Sequence, residues 1–125
     1  MKFRNIAGRG IFGESKVKGK LPMTGKYMAY VGSYSYTGKA KGITVYDVDV
    51  EAGKFIYRCE VEVDNSSYLK ASQNGQILYS IADEGVVAFR VLSNGSLARL
   101  NSANIRGMRG CHLSTSKADD YIFIS

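Results

Sequence analysis

From Tyr27 onward the chain breaks into short apolar stretches separated by polar turns. Residues 27–34, 43–50, 55–63, 68–72, 77–82, 86–92, 97–101, 111–115 and 121–124 are each rich in Val, Ile, Tyr and Phe. In the third stretch Phe55, Tyr57, Cys59, Val61 and Val63 alternate with Arg58, Glu60 and Glu62. That is the period of a half-buried strand, with every second side chain on one face. Residues 77–82 are nearly all apolar, as expected of a strand covered on both faces. The separators carry turn chemistry. Asn74-Gly75 and Asn94-Gly95 supply residues that tolerate positive φ, and Ala52-Gly53 and Asp119-Asp120 read as looser versions. No stretch has a helical period, so the chain reads as all-β and antiparallel.

The stretches repeat. "YLKASQNGQILYSI" (68–81) lies over "HLSTSKADDYIFIS" (112–125) at an offset of 44, which sets Leu69 on Leu113, Ser72 on Ser116 and Tyr79 on Phe123. "GITVYDVDVEAGKF" (42–55) lies over "GVVAFRVLSNGSL" (85–97) at an offset of 43, which sets Gly42 on Gly85, Tyr46 on Phe89 and Val48 on Val91. A period of that length carrying four short strands is the mark of a propeller blade.

The stretches "YVGSYSYTGKAKGITVYDVDVEAGKF", "SYLKASQNGQILYSIADEGVVAFRV" and "IRGMRGCHLSTSKADDYIFIS" resemble the beginning of the bacterial 6-phosphogluconolactonase family of seven-bladed β-propellers, which has a muconate-lactonising branch in fungi. The resemblance covers about residues 27–125. It implies four-stranded antiparallel blades, of which the 125 residues hold about two and a third. Seven blades at this period need more than ~300 residues. The expectation is therefore a partial propeller over residues 26–125, either a fragment of a longer chain or a truncated gene product, with an open edge through which it can self-associate. By resemblance the complete protein hydrolyses 6-phosphogluconolactone to 6-phosphogluconate in the pentose phosphate route, and the piece alone is expected to be inactive. The alternative is a non-enzymatic propeller that binds a partner, since fold does not fix function.

Charge refines the organisation. The net charge of +6 sits almost wholly in the first 24 residues, where six basic side chains face only Glu14. Residues 1–25 read as a basic, Gly-rich tail without a period, expected to be disordered and solvated rather than a specific nucleic-acid site. The tail holds a G-x-G-x-x-G at Gly8, Gly10 and Gly13. A nucleotide loop needs a preceding strand and a following helix or strand, and only seven residues precede Gly8, so the spacing reads as coincidence. There is no apolar run long enough for a membrane span and no secretory h-region. Two cysteines and one histidine do not make a metal framework. Reduced cysteines and a cytoplasmic location are expected, with no metal and no cofactor.

The densest chemistry lies in "RGMRGCH", residues 106–112. In a propeller this Gly-rich stretch leads to an innermost strand beside the central channel. Arg106 and Arg109 are the candidate substrate-binding residues, because a guanidinium presents a planar fork to phosphate or carboxylate. His112 is the candidate catalytic base for water attacking a lactone carbonyl, and the oxyanion that develops needs donors or positive charge. The muconate-lactonising branch uses His and Arg in its channel, which supports these residues by resemblance. Asp83-Glu84 reads as a polar turn between strands. Asn65-Ser66-Ser67 precedes one inner strand as Arg109-Gly110-Cys111 precedes the next.

Overall fold

The computed structural model describes residues 2–4 and 27–125. The described residues are strands and turns without helix, and no helix among them is long and apolar enough to cross a membrane. Ten strands run in chain order: β1 (Lys2–Arg4), β2 (Tyr27–Gly32), β3 (Gly42–Asp49), β4 (Lys54–Glu62), β5 (Leu69–Ala71), β6 (Ile77–Ile81), β7 (Gly85–Val91), β8 (Leu97–Asn104), β9 (Leu113–Thr115) and β10 (Ile122–Ile124). They form two four-stranded antiparallel sheets, β1-β2-β3-β4 and β5-β6-β7-β8, followed by the pair β9-β10. These are two blades and the inner hairpin of a third. The inner strand β5 lies beside both β1 and β9.

Within the tail expected to be disordered, Lys2–Arg4 pairs as β1 along β2, where the edge of that strand offers unpaired backbone groups. The rest of the tail reading, with its G-x-G-x-x-G, lies outside the described residues.

Alternating side chains of the middle strands feed two cores. Leu78, Val87 and Phe89 pack with Met28, Tyr30, Ile43 and Val45 between the first and second blades. Ile81 and Val86 pack with Tyr68 and Leu113 between the second blade and the hairpin. Neighbouring residues of β6 and β7 thus face opposite cores, which is why residues 77–82 read as nearly all apolar.

The repeat is a repeat of backbone as well as of residues. Ser72 and Ser116 each open a turn whose fourth residue has positive φ, Gly75 at 73° and Asp119 at 61°. In both turns the serine hydroxyl accepts from the residue five places on, Ile77 N–H at 3.0 Å and Tyr121 N–H at 3.2 Å. Gly42 and Gly85 each sit where a Cβ would meet a carbonyl, at 2.2 Å from Val63 O and 2.0 Å from Ala103 O. Each blade also carries a bulge in its outer pair, between Val45 and Tyr46 in the first and between Ala88 and Phe89 in the second.

The first bulge corrects the reading of residues 55–63. Val45 lies opposite Cys59 and Tyr46 opposite Tyr57, which leaves Arg58 as the extra residue. Directly paired residues share a face, so one extra residue turns the side chains beyond it to the other face. Cys59 and Val61 pack on the core. Phe55 and Tyr57 do not; they lie against Tyr46 at 5.9 and 6.4 Å between ring centroids and stay 51% and 61% exposed.

Candidate functional site

Strand direction collects four connections at one end of the blades: residues 33–41 after β2, 63–68 between β4 and β5, 82–84 between β6 and β7, and 105–112 between β8 and β9. The turns at residues 50–53, 72–76, 92–96 and 116–121 occupy the opposite end. Every polar candidate from the sequence lies on these four connections.

Asn65 ties them together. It is buried and holds φ at 52°, a left-handed conformation that asparagine tolerates better than most residues. This backbone twist turns its amide between two blades. Its Oδ1 accepts from the N–H groups of Ser35 at 2.8 Å and Tyr36 at 2.9 Å, and its own N–H donates to Ser35 Oγ at 3.0 Å. Its Nδ2 donates to both carboxylate oxygens of Asp83, at 3.0 and 2.8 Å. Below it, Ser66 Oγ and Ser80 Oγ share a buried hydrogen bond of 2.8 Å.

Asp83 in turn meets Arg109. A guanidinium Nη2 donates to Asp83 Oδ1 in a hydrogen-bonded ion pair. The guanidinium carbon stands 5.7 Å from the centre of the Tyr34 ring, within cation–π range. The charge of Arg109 is thus held between a carboxylate and an aromatic face, with other N–H donors left over. Because both oxygens of Asp83 already accept hydrogen bonds, this carboxylate is poorly placed to activate water.

His112 lies three residues on, exposed, with its ring edge-on to Tyr68 at 4.8 Å between centroids. Its backbone exchanges hydrogen bonds with Ser125 at 3.0 and 3.2 Å, which fixes the chain without using the imidazole. Arg106 is exposed and has φ of 53°; its N–H donates to Asn104 Oδ1 at 2.6 Å. Its guanidinium makes no ion pair among the described residues. The structure therefore joins Arg109 to a network, leaves Arg106 on the loop beside it, and sets His112 at the start of the inner strand β9.

The sequence pointed to the Arg109 segment but not to the network behind it. The available signal was the repeat, since Asn65 stands 44 positions before Arg109. Cys59 and Cys111 are both free. No group of three or more His, Cys, Asp or Glu is placed to hold a metal among the described residues. A cleft of about 260 Å³ runs past Asp64, Asp83, Glu84, Arg99 and Asn104. That is below the ~300 Å³ at which small-molecule pockets begin. A larger groove of about 490 Å³, between Ile77 and Tyr79 on one side and Ile122 and Ile124 on the other, has an apolar lining unsuited to a sugar phosphate.

Comparison with known proteins agrees with this architecture. Residues 28–125 match the family model for the lactonase with a 7-bladed β-propeller. A 6-phosphogluconolactonase of Formosa agariphila is 31% identical over 104 residues, which is 77% of this chain and 30% of that protein. A crystal structure from Bacteroides fragilis, provisionally named a 6-phosphogluconolactonase, superposes with a TM-score of 0.68 at 29% identity, over 78% of this chain and 29% of that one. A second, from Bacteroides uniformis and named in the same provisional way, has a TM-score of 0.66 at 23% identity over 72% of this chain and 28% of that one, a likeness of fold. The chain thus spans about a third or less of the length of these relatives. With its repeated bulged blades and the family match over residues 28–125, the chain belongs to the lactonase family of seven-bladed β-propellers.

Proposed function

We propose that this chain forms part of a lactonase that opens 6-phosphogluconolactone to 6-phosphogluconate, in the cytoplasm and as a step of the pentose phosphate route. The reading draws on the names of the related proteins and on one observation: Arg109 is held at the loop end of the blades, with His112 and Arg106 on the same connection.

In this reading Arg109 takes the phosphate with its remaining donors, and Arg106 adds positive charge nearby. His112 accepts a proton from water as the oxygen bonds to the lactone carbonyl carbon. The ring C–O bond then breaks, the departing oxygen takes the proton back from the His112 imidazolium and leaves as a hydroxyl, and the new carboxylic acid ionises to carboxylate. No metal or cofactor is assigned to these steps. In this reading residues of further blades complete the site, so this chain alone is expected to turn over little and to bind ligand more weakly than the whole site does, within the millimolar range that NMR titration detects.

The test is titration of the chain with 6-phosphogluconate and with gluconate, followed by NMR. The phosphorylated acid is expected to shift signals of Arg109 and His112, and gluconate to shift them less. Equal and negligible shifts with both acids would count against the lactonase reading and favour a propeller that binds some other partner.

A further inference from the structure

We propose that Asp83 is a positioning residue, which, braced by the Asn65 amide, holds the Arg109 guanidinium against Tyr34 in the attitude that receives a phosphate. The inference rests on the reading of Arg109 as the phosphate-binding residue.

The geometry is a chain of dependence across three blades. The Ser35 and Tyr36 amides of the first blade fix the Asn65 carbonyl oxygen. The other end of the same side chain then donates twice to Asp83, so the carboxylate plane has little freedom to rotate. Asp83 presents one of those oxygens to Arg109, which belongs to the connection into the third blade. Tyr34, on the same loop as Ser35, supplies an aromatic ring 5.7 Å from the guanidinium carbon. An arginine on an exposed loop loses side-chain entropy when it grips a ligand. Here the ordering is done before the ligand arrives, so the loss on binding is smaller.

This proposal and plain electrostatics predict opposite signs. Removing a carboxylate beside an anion site strengthens anion binding if charge alone matters. If Asp83 positions Arg109, the same change weakens binding. Asp83→Asn keeps the shape and removes the charge. Its neighbour Glu84, which makes no ion pair among the described residues, supplies the control Glu84→Gln.

Two measurements on the intact chain decide the matter. The first needs no ligand: the Arg109 side-chain N–H signals, identified by their loss in Arg109→Lys, are read by ¹⁵N NMR. They are expected to exchange slowly with water in the parent chain and in Glu84→Gln, and to exchange fast in Asp83→Asn. The second is the affinity for 6-phosphogluconate and for inorganic phosphate. Asp83→Asn is expected to weaken both by roughly tenfold, the scale of one charge-assisted hydrogen bond, while Glu84→Gln leaves them unchanged or slightly tighter. Unfolding midpoints of all variants exclude a collapsed fold. Fast exchange in the parent chain, or tighter binding by a folded Asp83→Asn, overturns the proposal. Failure of the parent chain to bind 6-phosphogluconate sinks the lactonase reading instead, and the exchange data then judge the positioning of Arg109 alone.

Discussion

The Tyr30 hydroxyl donates a 2.7 Å hydrogen bond to the carbonyl of Gly95, across 65 positions and from the first blade to the second. Arg58 reaches the neighbouring Asn94 carbonyl from the same blade, and a Cβ on Gly95 would strike the Met28 side chain at 2.6 Å. The turn at residues 92–96 is therefore a clasp. It closes the seam at the end away from the Asn65 network, so the two blades are pinned at both ends.

The clasp makes stability sensitive to alkali. Burial, partly offset by the Arg58 charge, pushes the Tyr30 phenol from 10.0 up to about 12. A phenol that holds its proton more tightly when folded contributes its full stability below pH 10. That contribution falls between pH 10 and 12, where the unfolded chain has lost the proton and the folded chain keeps it. The loss is on the order of 2 kcal/mol. Urea unfolding from pH 8 to 12 is expected to show it. Tyr30→Phe is expected to cost about 1 kcal/mol at pH 8 and to flatten the fall above pH 10. If Tyr30→Phe kept the alkaline slope of the parent chain, that slope would belong to other groups.

Gly85 and Gly53 separate crowding from turn strain. A Cβ at Gly85 would stand 2.0 Å from Ala103 O, a backbone atom held in the β7–β8 ladder. At Gly53 nothing lies within 4 Å, and only the φ of 65° resists a side chain. Gly53→Ala is expected to cost about 1 kcal/mol, and Gly85→Ala at least ~3 kcal/mol. Thermal unfolding of the two variants measures the difference. Equal losses would mean that β8 yields easily, contrary to the paired geometry.

Strand positions were legible because each depends on a few neighbouring residues. The turns at Asn74-Gly75 and Asp119-Asp120 and the double burial of residues 77–82 follow from local pattern, and the blade period follows from comparing segments 43–44 positions apart. What was not legible depends on register. One extra residue at Arg58 carries Phe55 and Tyr57 off the core face, and no count of alternating residues shows where a bulge falls. The site divides in the same way. Arg109 and His112 drew attention by residue type within one loop. The partnership of Asn65 with Asp83 joins positions 18 apart through side chains on different turns. A positive φ at Asn65, which aims its amide, leaves only a faint trace in sequence.

Ser66 and Ser80 test whether the network rests on a polar floor. Their hydroxyls are buried and share one hydrogen bond, and Ser80 Oγ also donates to Ile81 O at 3.0 Å. Ser80→Ala leaves the Ser66 hydroxyl without that partner and is expected to cost about 1–2 kcal/mol. Replacing both serines by alanine removes the stranded hydroxyl, so the double variant is expected to lose less than the sum of the single losses. Denaturant midpoints of the cycle measure this. Strict additivity would mean that the two serines act apart.

Lactone opening provides the sharpest test of His112. His112 is exposed to water, while its ring meets the buried Tyr68 ring in a T-shaped contact, so the imidazole has both a packed neighbour and access to solvent. That is the arrangement a base needs when its partner is water. If His112 is the base of the proposed reaction, removing it takes away proton transfer in the transition state, a contribution of roughly a hundredfold or more. In the proposed reading ligand binding draws instead on Arg106 and Arg109. If the proposed reading holds, then in a complete seven-bladed chain carrying these blades, assayed on 6-phosphogluconolactone with spontaneous opening subtracted, His112→Gln is expected to lower kcat by at least about a hundredfold with little change in KM. Tyr68→Leu, which loosens the support but keeps the base, is expected to lower kcat less. A His112→Gln enzyme with undiminished kcat would move the base to another residue and leave His112 as a contact of the β9 strand.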